Sequence, residues 1–489
     1  MDAILGESTP RRRRGKLDEM TKGEGLGDAY TATLSRIKAQ EGSKSRLGME
    51  VLMWVSHAER PLQVNELCHA LGVEEGLTDL DTQNIPTIET LVKSSLGLVT
   101  VKSSSTSAST VQLVHYTLHE YLSHNPTFFY KPHSMIAEVC LTYLNFLHVR
   151  GLSSALSSLP ATLPFVEYAS CYWGTHARRE TTESVKTLAL KLLDGYDRHI
   201  SSKILLLRGV DLWNPPLDWE GTPRGFTGLH AAAYLGCVEI TAALLESGRW
   251  DVEATDFNGN TAIAWAARCG HEEVVRELLE RSNVNPDKAD RWSQTPLVWA
   301  AEKGHEGVVR VLLERKDVNP NTADEYGRTP LSSAAANGHE VVVKILLGRS
   351  DVDPDKADIS GRTPLSRAAE NGCDGVVRSL LRRNDVNPDT ADMEDGRTPL
   401  SFAAENGHVG VTWMLLERND VNPNTADSED RRTPLAFAAA NGHEGVVRIL
   451  LKRDDIEPNI ADNRNLTPLS WAVTHGHEGV IRLLQEPRI

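Results

Sequence analysis

The sequence predicts a mostly α-helical chain in three parts: an N-terminal α+β domain, an all-helical bridge and a C-terminal solenoid of eight short units. Three observations predict it. A threonine recurs at 227, 261, 295, 329, 363, 398, 433 and 467, with spacings of 34 or 35 residues, and a fixed period of that length marks stacked repeats. Residues 47–116 read as three helices followed by two short alternating strands. The chain carries 67 acidic against 52 basic residues, net −15 over 489 residues, and residues 221–489 hold −12 of it. The parts fall at 1–29 (a disordered basic and glycine-rich tail), 30–125 (the α+β domain), 126–220 (the bridge) and 221–489 (the array).

Composition excludes several function classes. An acidic surface repels nucleic acid and anionic membrane, and no apolar run reaches the ~18–20 residues of a membrane helix. The six cysteines are scattered, with no pair at Cys-x-x-Cys spacing, which argues against a zinc knuckle or a disulfide scaffold. The N-terminus lacks the apolar core of a secretory signal. A reduced, cytoplasmic protein is expected. Arg11–Arg14 with Lys16 is the one basic cluster, a candidate nuclear-import signal or simply part of the tail.

In the α+β domain, residues 47–58 form the first helix. Pro61 opens a second from Leu62 to Leu71, with Leu62, Leu67 and Leu71 on one side, and Pro86 opens a third through Leu96. Leu98–Val101 and Val111–Tyr116 flank a Ser/Thr-rich turn at 103–110 and make a hairpin. Three helices and a hairpin are the layout of a winged helix. DNA binding is disfavoured, because residues 50–120 hold three basic against nine acidic side chains. Further helices are expected at 134–147, 165–176 and 184–193. Trp213-Asn-Pro-Pro and Gly221-Thr-Pro close the bridge, which is expected to cover the apolar end of the first repeat. The far end has no polar capping helix after Leu484.

One repeat shows the logic of all. Thr329 caps a helix, Pro330 takes its first position, and Leu331, Ala334 and Ala335 make one face. Asn337-Gly338 ends it. A second helix carries Val342, Val343, Leu346 and Leu347 as its apolar stripe. Pro354 stops helix in the connector, and Asp358 to Gly361 suit a type I turn. Two helices and a turn-tipped loop, with Thr-Pro-Leu at 295, 329, 363, 398, 433 and 467, resemble the ankyrin repeat. The first two units are looser, Thr227-Gly-Leu-His230 and Thr261-Ala-Ile-Ala264. The family's histidine after Thr-Pro-Leu is serine at 332, 366, 401 and 470, and its Gly-Ala before Asp-Val-Asn is replaced by pairs such as Arg315-Lys316. The resemblance implies a curved solenoid that binds a protein partner on its concave face and loop tips.

Three columns run along the array. Histidine recurs at 271, 305, 339, 408, 443 and 477, with Cys237 and Cys373 in the same slot. Packed helices lie ~8–10 Å apart, too far for one slot per unit to share a metal ion with bonds of ~2 Å, so no metal is expected. Trp265, Trp299, Phe402, Phe437 and Trp471 occupy the phase of packing residues and read as core. At the tips, Phe257, Trp292 and Tyr326 sit beside Arg291 and Arg328. They form either an interface strip or rings folded back on their own loops. The later tips turn acidic, Met393-Glu-Asp and Ser428-Glu-Asp.

Ser56-His-Ala-Glu-Arg-Pro-Leu-Gln-Val-Asn-Glu-Leu-Cys-His-Ala-Leu71 and Val114-His-Tyr-Thr-Leu-His-Glu-Tyr-Leu122 resemble the segment after the nucleotide-binding domain of fungal NACHT–ankyrin proteins, which are Nod-like receptors of self/non-self recognition. The family order implied is NACHT, winged helix, helical segment, repeats. The departure is that Gly-x-x-x-x-Gly-Lys-Ser/Thr, which holds phosphates, occurs nowhere in these 489 residues. His115 matches only the histidine of a Met-His-Asp element that contacts nucleotide in related ATPases, and is read as structural. No Gly-x-Ser-x-Gly or His-Glu-x-x-His string is present either. The expectation is a non-catalytic interaction or scaffold protein with no catalytic residue and no cofactor, the sensor-regulatory portion of such a receptor. Alternatives are a regulator or decoy that associates with NACHT-containing relatives, or an enzyme within residues 1–220.

Overall fold

The computed structural model describes residues 24–74, 76–103, 108–154, 156, 159–208, 222–281 and 283–486. The Arg11–Arg14 run and the Trp213-Asn-Pro-Pro stretch lie outside the described residues. The chain divides into two compact units, residues 1–249 and 250–489.

The first unit begins with α1 (Glu24–Lys38), α2 (Ser43–His57), α3 (Val64–Leu71), α4 (Ile88–Ser94), β1 (Val99–Lys102), β2 (Thr110–Leu113) and α5 (Tyr116–His124). The strands pair antiparallel, Val99 opposite Leu113 and Lys102 opposite Thr110. Helix α1 starts at Glu24, inside the stretch expected as tail. Its glycines are poor helix formers, but Tyr30, Leu34 and Ile37 recur on one face and are buried, and that burial outweighs propensity. Helix α3 starts two residues later than the proline suggests. Leu62 and Gln63 are drawn to the sheet edge instead: the Val111 N–H donates to the Leu62 carbonyl at 2.9 Å and Gln63 bridges Thr110. Gln63 then caps α3 in a box with Glu66.

The bridge holds α6 (Pro132–Leu144), α7 (Leu147–Arg150), α8 (Val166–Arg179), α9 (Glu183–Leu193) and α10 (Ile200–Arg208). It shares a core with the α+β domain. Trp54 of α2 is buried with its ring edge-on to Phe165 and Tyr168, centroids 5.7 and 6.0 Å away, an arrangement aromatic rings favour. Helices α8 and α9 also pack against the first repeat, Gly228–Leu235 and Val238–Glu246. Two glycines allow the approach. A Cβ on Gly174 would lie 2.7 Å from Leu235, and one on Gly228 would lie 2.5 Å from the Leu193 carbonyl oxygen.

The second unit stacks seven helix pairs. The first helices begin at Ala262, Pro296, Pro330, Pro364, Pro399, Pro434 and Pro468, each capped by its threonine, whose hydroxyl accepts the N–H three residues on at 3.1–3.4 Å. Such a cap contributes about 1 kcal/mol. Where serine replaces the family histidine, its hydroxyl still reaches the threonine, as Ser401 reaches Thr398 at 3.1 Å. Alanine pairs such as 334–335 and 438–439 are fully buried between adjacent first helices, and the second helices bury Val342, Val343 and Leu346 and their equivalents in all but the last unit, where only Val480 is buried; Leu347 is partly exposed.

The Arg-Lys substitution for Gly-Ala adds a tie. Arg315, Arg349, Arg383, Arg418 and Arg453 each fork onto the aspartate two residues on, at 2.5–2.7 Å. Each also donates to the last carbonyls of the preceding unit's second helix, at 2.8–3.4 Å. Among the described residues the architecture is thus mostly helical, with an N-terminal winged helix and C-terminal repeats, one helix pair in the first unit and seven in the second. Among the described residues, no helix is long and apolar enough to cross a membrane.

Candidate functional site

Each loop of the second unit turns on a buried aspartate: Asp256, Asp290, Asp324, Asp358, Asp392, Asp427 and Asp462. Its Oδ1 accepts N–H groups from two later residues of the same tip, as Asp358 does from Ser360 and Arg362 at 3.0 Å. Its Oδ2 needs a second donor. The indoles of Trp265, Trp299 and Trp471 donate to Asp256, Asp290 and Asp462 at 2.9, 3.3 and 2.8 Å, and the guanidiniums of Arg328 and Arg367 do so for Asp324 and Asp358. Four of the five column aromatics are core, Trp265, Trp299, Phe402 and Phe437 being at most 3% exposed, whereas Trp471 in the last unit is only half-buried. Where phenylalanine stands, in the two units with an extra residue, the Oδ2 atoms of Asp392 and Asp427 have no hydrogen-bond donor, though an arginine lies 3.6–4.0 Å away.

The tips are laced edge to edge. The N–H after one aspartate donates to a carbonyl on the preceding tip: Arg291 to Asn258, Glu325 to Trp292, Ile359 to Tyr326, Met393 to Ser360, at 2.8–3.0 Å. This register puts Phe257, Arg291, Ile359 and Met393 in one row, one residue after the aspartate, and Trp292 and Tyr326 in the next row. Phe257 is half-buried with exposed Arg291 stacked 4.7 Å over its ring. Trp292 is half-buried. Tyr326 is 52% exposed, and Arg328, bonded to Asp324, lies 5.1 Å over it. Each arginine thus stacks on one ring, and Trp292 meets Tyr326's tip through the backbone.

Sequence reading missed Ile359 and Met393, which are 66% and 80% exposed. The signal was their place directly after the tip aspartate, equivalent to Phe257. The later tips, read as turning acidic, keep an apolar side chain as far as Met393.

The histidine column ties units together. The Nε2–H groups of His305, His339, His408, His443 and His477 donate to the carbonyls of Arg268, Glu302, Glu370, Glu405 and Ala440 in the preceding units, at 2.8–3.0 Å. Their rings lie against the glycine that ends the preceding first helix. A Cβ on Gly407 would meet the His443 ring at 2.7 Å, and its φ of +76° already favours glycine.

In the first unit, His115 caps α5, its Nδ1 accepting the Thr117 N–H at 3.3 Å. A second grouping was not foreseen. Glu59 after α2, His133 at the start of α6 and His176 on α8 each bring a ligand atom within 4.8 Å of the others. His133 Nδ1 and His176 Nδ1 are 2.9 Å apart. The Tyr168 hydroxyl is 3.0 Å from His176 Nε2 and accepts the Glu59 N–H at 3.1 Å. Glu59 pairs with Arg179. Burial, then neighbouring His133, pushes the His176 imidazole down to about 3.

Two family models match the chain. One, described as ankyrin repeats in three copies, matches residues 199–290, 281–358, 343–427 and 418–489. The other, described as the winged helix domain of GPI inositol-deacylase, matches residues 35–128. No curated protein sequence matches.

Proposed function

Because the chain belongs to the ankyrin-repeat family, we propose that it is a non-catalytic binding protein that captures a protein partner along the loop tips of its second unit. One observation carries this reading: Tyr326, Ile359 and Met393 expose apolar surface on three consecutive tips whose backbones are already fixed by the aspartate and the inter-tip bonds. A surface ordered before binding loses little entropy on binding. Phe257, Trp292, Arg291 and Arg328 extend the same ridge. The flanking carboxylates Glu325, Glu394 and Glu429 favour a partner segment that combines apolar side chains with lysine or arginine.

The order of winged helix, helical bridge and repeats supports a finer reading, the sensor-regulatory portion of a Nod-like receptor type of molecule, or a regulator that associates with NACHT-containing relatives. The enzyme reading draws on the name of the deacylase whose winged helix residues 35–128 resemble; that match concerns the winged helix alone. Melting midpoints are expected to be indifferent to nucleoside triphosphate, and stabilisation by it would favour an enzyme or nucleotide switch.

The test is parallel capture from the source cell with the wild-type chain and a Tyr326→Ser/Ile359→Ser/Met393→Ser variant. The proteins enriched by wild type are expected to be depleted at least tenfold on the variant. Equal recovery would overturn the tip assignment.

A further inference from the structure

We infer that Glu59, His133 and His176 form a binding site for a borderline divalent cation of the zinc class, joining the winged helix to the bridge inside the first unit. The inference is independent of the tip ridge. Two imidazoles and one carboxylate are a donor set suited to zinc. The three residues come from separate elements: Glu59 from the turn after α2, His133 from α6 and His176 from α8. Their ligand atoms lie within 4.8 Å of one another.

The required adjustment is small. Bonds of about 2.0–2.2 Å in a tetrahedral site put neighbouring ligand atoms about 3.3 Å apart. The two Nδ1 atoms, at 2.9 Å, need to open by a few tenths of an ångström. The Glu59 carboxylate closes the larger gap by side-chain rotation. Its present partner, Arg179, is 46% exposed, so its guanidinium can turn to solvent.

The surroundings are those of a metal-bound histidine. A ligating imidazole donates its other N–H to an oxygen that fixes ring and tautomer. His176 is fully buried and has the Tyr168 oxygen 3.0 Å from Nε2. With that proton on Nε2, Nδ1 of His176 presents a lone pair toward His133. The His133 ring stacks on that of His176 at 5.1 Å and is only half-buried, which leaves a route from solvent. Among the described residues no fourth histidine, cysteine or carboxylate joins this group, so the site offers three protein ligands and leaves the fourth position of a tetrahedral ion to water.

The experiment uses the full chain, stripped with chelator and titrated with zinc chloride against a chromogenic competitor, with cobalt chloride as a spectroscopic probe. Wild type is expected to take up one tight equivalent, to show the visible bands of four-coordinate cobalt and to melt higher with zinc. His133→Ala is expected to lose at least a hundredfold in affinity together with the cobalt bands and the zinc-dependent rise. Glu59→Gln, nearly isosteric, is expected to lose at least tenfold and guards against a folding defect in the first variant. His119→Ala, at an exposed side chain of α5, is expected to match wild type. Zinc binding by wild type no tighter than by His133→Ala, or an equal loss in His119→Ala, would overturn the assignment.

Discussion

At the scale of single residues, buried polar side chains decide what the chain tolerates. His199 shows it with a definite sign. Its Nε2–H donates to the Leu144 carbonyl at 3.2 Å and its Nδ1 accepts the Ser201 N–H at 3.1 Å, so the fold holds the neutral ring. Burial pushes its pKa down to about 4 from an ordinary 6.5. Between those values the unfolded chain binds the proton and the folded chain does not, so stability is lost as pH falls from 6.5 to 4, by up to roughly 3 kcal/mol. Thermal scans are expected to show the midpoint falling across that range and falling less steeply in His199→Gln; equal slopes would contradict the assigned bonding. The tip aspartates follow the same logic. A tryptophan nine residues on donates to Asp256, Asp290 and Asp462, a pairing that was present in the sequence as a spacing but had no meaning until the loop folded back on the helix.

At the scale of elements, the repeat was legible because each signal acts within a few residues. Threonine caps and a terminal glycine mark the first helix of every unit, six units add proline at the first helical position and most add paired alanines, and the structure puts each in its role. Ala334 is fully buried where adjacent first helices meet. Ala334→Leu is therefore expected to lower stability by roughly 1–3 kcal/mol, read by denaturant titration; an unchanged midpoint would mean that this face is not the packed one. What the sequence concealed depends on contacts between distant segments. Helix α1 exists because Tyr30, Leu34 and Ile37 find a core. Leu62 and Gln63 leave their helix for the edge of the hairpin. Glu59, His133 and His176 share no spacing that a motif search could hold, and only the packing of α2, α6 and α8 brings them together. The tip ridge was half legible: the aromatics announced themselves, whereas Ile359 and Met393 gain significance from the hydrogen-bonded register that aligns the tips.

At the scale of the molecule, chemistry and charge are divided between two compact units. Residues 1–249 gather the winged helix, the bridge and the first helix pair around one aromatic core. Residues 250–489 form a laced array with an acidic surface and an apolar ridge. Ionic strength is expected to weaken partner capture, because charges across an exposed rim are screened beyond about 10 Å at 0.1 M salt. The most direct test is a binding isotherm for a captured partner against wild type and Trp292→Ala/Tyr326→Ala, with melting curves of both chains. The expected result is at least a tenfold rise in Kd, with helical content kept and the midpoint shifted by no more than a couple of degrees. An unchanged Kd, or a midpoint lowered by many degrees because the rings are core, would contradict the account.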